Sequence, residues 1–419
     1  MEYPFNDGPK YYSLRLFANF LPGVTDGNTQ VETGFSRGVS HDFTEAISKV
    51  IGEFLERYPL LLYKRKKLIR ASMNMLREKK KNFLNVFDLA GAAEWQKKFS
   101  SRKYFDEDSL FFWAEGKELT QNKRALVPAQ LIFWNYNSSD EPQEPFLRQP
   151  ITNGAAGHFT YEEAVLGGIY ENIQRDGFLI YWLNSIPPPR IDPDTILDTE
   201  LQRHIEHLRR YNFEVVFLDT TLDLKIPSSA CAILDKSGNG PRVALGGGCG
   251  SSLERSLIRS LTEAVGVYNW ARSNKNTYTL PDDYLPFKDP YVDQGRRLLL
   301  YNNDDKAFPI MESFLSGPLK SFSPQVNLPN FNSPKEELDY ILNTFKSKGR
   351  GYEVYVYEAH HEFLETLGYH SARVIMPSLI PLYLRETDAP LGGVRIREVP
   401  KTFGLEPSAE PNPWPHPFP

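Results

Sequence analysis

Hydrophobic and charged residues alternate with a helical period in the segment that follows residue 42. At about 100° per residue, the charged positions share one sector of about 80°: Glu45, Lys49, Glu53 and Glu56. The opposite side is apolar: Ala46, Ile47, Val50, Ile51, Phe54 and Leu55. The pattern predicts an amphipathic helix with one acidic face and one core face.

A second segment repeats this pattern with identical spacing. The first copy has Glu45, Ala46, Glu53, Glu56 and Arg57, and the second has Glu163, Ala164, Glu171, Gln174 and Arg175. Carboxylates on neighbouring turns of one helix repel each other. Two acidic faces in the same register therefore predict a cation between the helices, and Mg²⁺ with phosphate is the natural candidate. The alternative is a pair of solvated helix faces.

A third segment has a similar arrangement of glycines followed by a predicted helix. Glycine-bearing segments at 34–38, 153–157 and 246–250 each precede a predicted helix. We predict that they are turns whose backbone N–H groups approach phosphate. In the third helix Arg255, Arg259 and Glu263 occupy the sector that the acids hold in the other two. Basic and acidic elements that face one another would clamp a charged ligand.

Strand-like runs lie between these helices, at 111–114, 126–136, 213–218, 230–234, 242–245, 352–357 and 373–376. Strands that alternate with helices predict the α/β or α+β class. Ser333 and Glu336 form a capping box with Pro334 at the first helical position, which predicts a helix to about Ser347. Many Pro, Asn and Asp residues predict an irregular connection over 273–335.

Composition narrows the classes of protein. The chain has 419 residues, 41% of them hydrophobic, so it can bury a large core. A net charge of -5 gives no basic field, which argues against nucleic acid as the main partner. The first residues carry no signal-peptide pattern, and no apolar run reaches membrane-spanning length, so we expect a cytoplasmic protein with no membrane contact.

Other candidate motifs are weak. Residues 242–250 look like a strand entering a dinucleotide loop, but they lack the full glycine fingerprint. Walker-type and HExxH motifs are absent from the sequence. His204 and His207 lie three apart among arginines, which predicts a solvated helix face rather than a metal pair. Cys231 and Cys249 are expected to be small buried residues.

Two segments suggest contacts with other groups. Residues 64–81 contain nine Lys or Arg, which form either a solvated surface or a docking surface for an acidic partner. The chain closes on alternating prolines up to Pro419. Such an end is usually a disordered linker or ligand. A preset extended strand would instead deliver a terminal carboxylate to a fixed point at low ordering cost.

Several segments together resemble the YcaO superfamily: residues 38–57, 127–130, 152–176, 219–220, 246–263 and 374–377. The resemblance runs from about Gly34 to Pro419, and the proline-alternating end is similar to that of azoline-forming cyclodehydratases, the D proteins. It implies an α/β (α+β) fold with repeated sheet-and-helix subdomains around an ATP site. It also implies an N-terminal lead-in (1–33), a catalytic domain (34–406) and a tail that reaches the active site (407–419).

The resemblance further implies roles for individual residues. The implied Mg²⁺ ligands are Glu53, Glu56, Glu163, Glu171 and Gln174. The implied ATP or phosphate contacts are Arg37, Arg57, Arg175 and Glu263. The carboxylate of Pro419 would act at the substrate. Two departures from the family pattern are Gln174, where glutamate is usual, and Asp293-Gln294, where an Asp-His pair is common.

The implied activity is ATP-dependent conversion of Cys, Ser or Thr in a ribosomally made precursor peptide into thiazoline or oxazoline. A separate ubiquitin-activating-like protein with a peptide-recognition element would bring the precursor, and a homodimer is left open. Within the superfamily the alternative is a thioamide-forming or amidine-forming enzyme. A degenerate, non-catalytic scaffold is the alternative of another class, and it is motivated by Gln174.

Overall fold

The computed structural model describes residues 11–18, 34–98, 105–134, 136–274, 276–289 and 292–419. Within these ranges the strands are β1 (Tyr12–Ala18), β2 (Gly34–Ser40), β3 (Ile69–Ala71), β4 (Phe111–Glu118), β5 (Lys123–Pro128), β6 (Ala155–His158), β7 (Arg190–Ile191), β8 (Phe213–Asp219), β9 (Ser228–Asp235), β10 (Val243–Cys249), β11 (Leu319–Lys320), β12 (Tyr355–Ala359) and β13 (His370–Ile375). The helices are α1 (Phe43–Leu60), α2 (Met73–Glu78), α3 (Ala129–Ile132), α4 (Tyr161–Leu183), α5 (Thr199–Arg210), α6 (Leu253–Ser273), α7 (Gln294–Asn303), α8 (Phe308–Phe314), α9 (Pro334–Lys348), α10 (Glu362–Leu367) and α11 (Arg395–Thr402).

The described strands form three sheets. β1 and β2 make an antiparallel ribbon. A five-stranded sheet has the order β10-β9-β8-β7-β11, and a six-stranded sheet runs β3-β4-β12-β13-β6 with β5 paired to β4. The mixed α/β class predicted from the sequence is confirmed.

Helix α4 occupies the centre of the molecule. It contacts β13 and β6 of the six-stranded sheet and also β10 and β9 of the five-stranded sheet. From Ile173 to its end α4 is almost wholly buried, and Phe178 and Trp182 belong to the largest apolar cluster. Helix α1 packs on the ribbon and on β6, while α6 packs on β10 and β9. The three predicted helices therefore meet where the three sheets come together.

Two local predictions have opposite outcomes. The predicted helix start is confirmed, because the side chain of Ser333 accepts a hydrogen bond of 3.3 Å from the backbone N–H of Glu336 at the start of α9, while the Glu336 carboxylate accepts from the N–H of Asn332 at 2.9 Å rather than from that of Ser333. The irregular connection predicted over 273–335 is wrong over 294–314, where the structure has α7 and α8. There Asp293 caps α7, and Leu300 and Tyr301 are buried in the core. The free energy gained from this burial stabilises helices in a segment rich in residues that disfavour them.

The histidine and cysteine predictions also differ in outcome. His204 and His207 lie on helix α5 as expected, but they are buried rather than solvated, with 5% and 7% of their surface exposed. Their neighbours in sequence are basic, yet α5 turns this side towards the protein. Cys231 and Cys249 are free and buried, as predicted. No described helix has the length and apolarity needed to cross a membrane, and the cytoplasmic location stays a prediction.

Candidate active site

Three strand-and-helix units, β2–α1, β6–α4 and β10–α6, bring one glutamate each to a common point. In each unit a backbone N–H of the strand region donates a hydrogen bond to a carboxylate on the following helix. The N–H of Arg37 donates to Glu53, that of Gly154 donates to Glu171 at 2.7 Å, and that of Gly247 donates to Glu263. The separations in sequence are 16, 17 and 16 residues. The three units expected from the sequence thus share the same contact, a hydrogen bond from a backbone N–H to a glutamate on the following helix.

The glycine-bearing segments are not the predicted phosphate-binding turns. Residues 34–40 and 243–249 are β-strands, and 155–158 is a third strand that follows a turn. A Cβ on Gly38 would lie 2.0 Å from the carbonyl oxygen of Ala46, and one on Gly248 would lie 1.9 Å from that of Ser256. Glycine is needed because each helix packs directly against the backbone of its strand.

Three arginines surround the glutamates. Arg57 forms an ion pair of 2.5 Å with Glu53, and Arg175 lies 3.5 Å from Glu171. The guanidinium of Arg37 donates to the carbonyl of Gly266 on α6, which ties the first unit to the third. Burial lowers the pKa of Arg37 to about 10, so its side chain is still cationic at neutral pH.

Burial is the main electrostatic influence on the carboxylates. It raises the pKa of Glu53 and of Glu263, and it raises the pKa of Glu56 to about 8. The negative charge of Glu171 adds to the shift of each of the three. Several carboxylates so close together, and partly shielded from water, require cations. Oxygen ligands of this kind suit Mg²⁺.

A cavity of about 770 Å³ collects most of the predicted residues: Arg37, Glu53, Glu56, Arg57, Glu171, Gln174, Arg175, Glu263 and Pro419. The amide nitrogen of Gln174 lies 3.5 Å from the carboxylate of Glu263. The Nε–H groups of Arg37 and Arg175 are buried, and among the described residues they have no hydrogen-bond partner. Carboxylates beside unsatisfied guanidinium donors fit a metal ion that carries a phosphate-containing ligand.

Glu163 is the predicted ligand that the structure does not bring to this cavity. It lies in the first turn of α4, about 12 Å along the helix from Glu171. Its carboxylate accepts a hydrogen bond of 2.6 Å from Thr160 and pairs with His158 at 2.7 Å. The repeated spacing predicted that Glu163 is a ligand, but the first turn of α4 extends beyond the cavity. We therefore leave Glu163 out of the proposed ligand set.

A second cavity of about 650 Å³ adjoins the first. Arg37, Glu53, Glu263 and Pro419 line both cavities. The second one also has basic walls, because Lys49, Arg255 and Arg259 line it. Arg255 and Arg259, expected to lie opposite the acidic helices, thus face this cavity. Pro419 stands at the boundary between the two.

The C-terminal tail runs through the protein as an extended segment. The indole N–H of Trp182 donates to the carbonyl of Trp414 at 3.1 Å, and the hydroxyl of Tyr301 donates to that of Pro415 at 2.6 Å. Phe418 is buried and stacks on Phe178 with ring centroids 4.2 Å apart. The tail contains no helix or strand, as its prolines predicted.

A buried polar network that the sequence gave no reason to expect holds the tail. Arg297 lies 2.7 Å from His416 and pairs with Glu386 at 2.7 Å, and it donates to the carbonyl of Tyr383. Arg297, Glu386 and His416 are all fully buried. The sequence feature that lies closest to this network is the pair Asp293-Gln294. Asp293 caps α7, and Gln294 lines the first cavity. Arg297 lies one turn further along α7.

The basic segment 64–81 divides into two kinds of residue. Arg65 is buried and donates to the backbone carbonyls of Asn137, Asp140 and Pro142 at 2.6–3.1 Å, so it has a structural role. The other basic residues of the segment are exposed: Lys64, Lys66, Lys67, Arg70, Arg77, Lys79, Lys80 and Lys81. Only this exposed set is available to a partner.

Two curated relatives match part of the chain. An uncharacterized protein in the tfuA 3′ region of Rhizobium leguminosarum bv. trifolii is 26% identical over 162 residues, which are 36% of this chain and 38% of that protein. An uncharacterized protein of Methanothermobacter thermautotrophicus is 27% identical over 161 residues, 38% of this chain and 42% of the relative. The matched part thus spans less than half the length of these relatives.

Solved structures share the fold over most of the chain. A heterocyclase in complex with substrate and cofactor has a TM-score of 0.72 at 22% identity, covering 92% of this chain and 50% of that one. YcaO from Methanopyrus kandleri bound with AMPPCP and Mg²⁺ has a TM-score of 0.60 at 16% identity, covering 89% and 83%. The Escherichia coli microcin synthetase McbBCD complex gives 0.54 at 15% identity, covering 82% of each chain.

A family model covers most of the sequence as well. The model described as YcaO cyclodehydratase, ATP- and Mg²⁺-binding, matches residues 37–380. These residues include both acidic helices, the third unit and every predicted site residue except Pro419. The description confirms ATP and Mg²⁺ as the predicted cofactors. The chain therefore belongs to the YcaO cyclodehydratase family.

Proposed function

We propose that this chain is an ATP-dependent peptide cyclodehydratase. It would convert Cys, Ser or Thr residues of a ribosomally made precursor peptide into thiazoline or oxazoline rings. The observation that carries the proposal is the cavity in which Glu53, Glu56, Glu171 and Glu263 meet, with Pro419 in its wall. Membership of the family and the fold shared with a heterocyclase support this activity.

The four carboxylates are the proposed Mg²⁺ ligands, with Gln174 as a neutral oxygen ligand. In three of the four, the backbone hydrogen bond holds one side of the carboxylate and leaves oxygen lone pairs for a cation. Arg37, Arg57 and Arg175 would neutralise phosphate oxygens and hold the acids in place. Bound ATP would supply the γ-phosphoryl group that turns an amide oxygen into a leaving group.

The chemistry starts with the nucleophilic side chain of the substrate. Its sulfur or oxygen attacks the carbonyl carbon of the preceding amide, loses its proton and leaves an oxyanion on that carbon. The oxyanion takes the γ-phosphoryl group with release of ADP. The amide nitrogen then loses its proton, the C–O bond breaks with departure of phosphate, and a C=N bond completes the ring. One water is lost from the peptide in total.

Pro419 is the proposed proton acceptor in these steps. Its oxygen accepts a hydrogen bond of 2.8 Å from Arg175, and it lies at the boundary between the two cavities. A carboxylate there would have the carboxylate-lined cavity on one side and the basic cavity on the other. The tail, 407–419, whose residues 415–418 are buried, would serve as the rod that sets this position.

A separate protein is the proposed source of the precursor peptide. The microcin synthetase structure of similar fold is a complex of several proteins, which supports this arrangement. The exposed basic residues of 64–81 are the proposed docking surface for the partner or for an acidic stretch of peptide.

The test is the mass of the peptide product. The purified chain is incubated with Mg²⁺-ATP, a candidate partner protein and a short candidate precursor peptide rich in Cys, Ser or Thr, both sought among the neighbouring genes. We expect the loss of one water per ring, with one ADP and one phosphate released for each. Exchange of oxygen for sulfur in the peptide would instead identify a thioamide-forming enzyme. An unchanged peptide with no nucleotide turnover would identify a non-catalytic scaffold.

A further inference from the structure

A cluster of two histidines and one glutamate lies outside the cavity. His41 connects β2 to α1, and Glu200 and His204 lie one turn apart on α5. Each residue offers a ligand atom, and the three atoms lie within 4.8 Å of one another. His41 Nε2 is 3.0 Å from Glu200 Oε1, and the rings of His41 and His204 have centroids 4.9 Å apart.

Tyr11 holds the buried member of this cluster. Its hydroxyl lies 2.9 Å from Nδ1 of His204, and both side chains are buried. In the tautomer that carries its proton on Nδ1, His204 donates this hydrogen bond to the Tyr11 oxygen and keeps the lone pair of Nε2 for a ligand. Metal-bound histidines almost always make such a hydrogen bond with their second nitrogen. Burial lowers the pKa of His204 to about 4, so the imidazole is neutral and offers its lone pair.

We propose that His41, Glu200 and His204 bind a first-row transition metal ion such as Zn²⁺. Two imidazoles and one carboxylate form a donor set that zinc uses, and imidazole is a poor ligand for Mg²⁺. In a tetrahedral zinc site with bonds of about 2.0–2.1 Å, neighbouring ligand atoms lie about 3.3 Å apart. His41 and Glu200 are exposed, so their side chains have room to rotate and shorten the present distances towards that value.

The position of this site indicates a structural role. His41 follows the strand that carries Arg37, whose backbone N–H holds Glu53. Helix α5 packs on β8 of the five-stranded sheet. An ion bound here ties the β1–β2 ribbon to that sheet and so fixes one wall of the carboxylate cavity. Such an ion requires no particular reaction in the cavity, so its binding is independent of the proposed function.

The test is zinc and cobalt binding to the full chain in excess Mg²⁺, which competes with Zn²⁺ for the carboxylate cavity. We expect one Zn²⁺ per chain, the intense visible absorption of four-coordinate Co²⁺, and a rise in the thermal midpoint on adding Zn²⁺. His41→Ala and Glu200→Gln should each weaken Zn²⁺ binding at least about tenfold and remove the thermal shift. Both residues are exposed, so the fold should survive.

The matched control is His360→Ala, which removes an exposed histidine far along the chain and should leave zinc binding unchanged. Glu53→Ala gives the second comparison. Zinc binding that survives His41→Ala and is lost in Glu53→Ala would place the ion in the carboxylate cavity and overturn the proposal. Failure of the unaltered chain to bind Zn²⁺ at one per chain would overturn it as well.

Discussion

Arg175 links the acidic face of α4 to the tail, because its Nη1 donates a hydrogen bond of 2.8 Å to the oxygen of Pro419. Its guanidinium also lies over the ring of Phe418, 4.8 Å from the centroid, and its Nη2 is 3.5 Å from Glu171. One side chain thus contacts a proposed metal ligand and the proposed proton acceptor. A substitution at Glu171 should therefore alter the position of Pro419, and a change at Pro419 should alter that of Glu171.

The first prediction separates the two glutamates of α4. Glu171→Ala should lower ATP turnover by about 100-fold or more, because it removes a ligand of the ion that neutralises the phosphates. Glu163→Ala is the matched control on the same helix and should leave turnover near normal. Phosphate release measures both. Equal losses in the two variants would contradict a ligand set that includes Glu171 and leaves out Glu163.

The second prediction concerns Gln174, whose amide lies 3.5 Å from Glu263. Gln174→Glu puts another carboxylate beside Glu263. Without Mg²⁺ the thermal midpoint should fall through repulsion, and with Mg²⁺ it should recover. The Mg²⁺ concentration for half-maximal turnover should fall because the new ligand is anionic. A Mg²⁺ dependence identical to that of the unaltered chain would show that Gln174 is not a ligand.

The third prediction is a pH dependence of the metal-free protein. Burial raises the pKa of Glu56 from its ordinary value of 4.5 to about 8. Between these values the folded state holds a proton that the unfolded chain has lost, so this contribution to stability is full below pH 4.5 and disappears as the pH rises through 8. The thermal midpoint should therefore fall over that range.

Two comparisons test whether Glu56 causes this pH dependence of the thermal midpoint. Glu56→Gln should flatten the pH dependence of the midpoint, since the amide does not titrate. In the unaltered chain Mg²⁺ should bind more tightly as the pH approaches 8, because binding must displace the proton. Calorimetry in buffers of different ionisation enthalpy measures the released proton. A slope that is the same in Glu56→Gln would assign the effect to Glu53 or Glu263.

The fourth prediction tests the tail. Adding a short extension after Pro419 moves the proposed carboxylate without removing any buried side chain, so it should abolish cyclisation and leave the thermal midpoint and ATP binding near normal. Deleting 416–419 should also abolish cyclisation, but it removes the buried Phe418 and should lower the midpoint by several degrees. Full dehydration of the peptide by the extended variant would reject a catalytic role for Pro419.

The fifth prediction concerns partner docking. Binding of the peptide-carrying partner should weaken with salt, and Lys79→Glu with Lys80→Glu should weaken it further by slowing association. Lys335→Glu is the control, since Lys335 is exposed on α9 and outside the basic segment. Arg65 is left intact, because its contacts are with the protein itself. Cyclisation of the full-length precursor at equal rates with and without the partner would contradict the requirement for it.

Helical period and repeat spacing were sufficient to identify the class of fold, the two acidic helices and the positions of the four glutamates that line the cavity. They succeeded because α1, α4 and α6 place their glutamates by simple helix geometry. The spacing could not tell how far each helix extends beyond the site, so Glu163 was grouped with the ligands. Only its contacts with Thr160 and His158 separate it from them.

Glycine and arginine patterns were misleading for a different reason. Gly38 and Gly248 suggested phosphate-binding turns, yet they allow helices to lie against strand backbones, a contact between segments that local sequence does not encode. The arginines around His204 suggested solvent, while the buried side of α5 is set by the sheet beneath it. The contacts of Arg297 with His416 and Glu386 join residues 89 and more positions apart, and no periodicity reports them.

The three strand-to-glutamate hydrogen bonds have a consequence for the entropy of metal binding. A free glutamate side chain must give up rotational freedom of its side-chain torsions when it ligates an ion. In Glu53, Glu171 and Glu263 the strand has already imposed much of that loss during folding, through the N–H groups of Arg37, Gly154 and Gly247. This loss of entropy lowers the stability of the fold rather than the affinity for the cation, which binds to carboxylates that are already oriented.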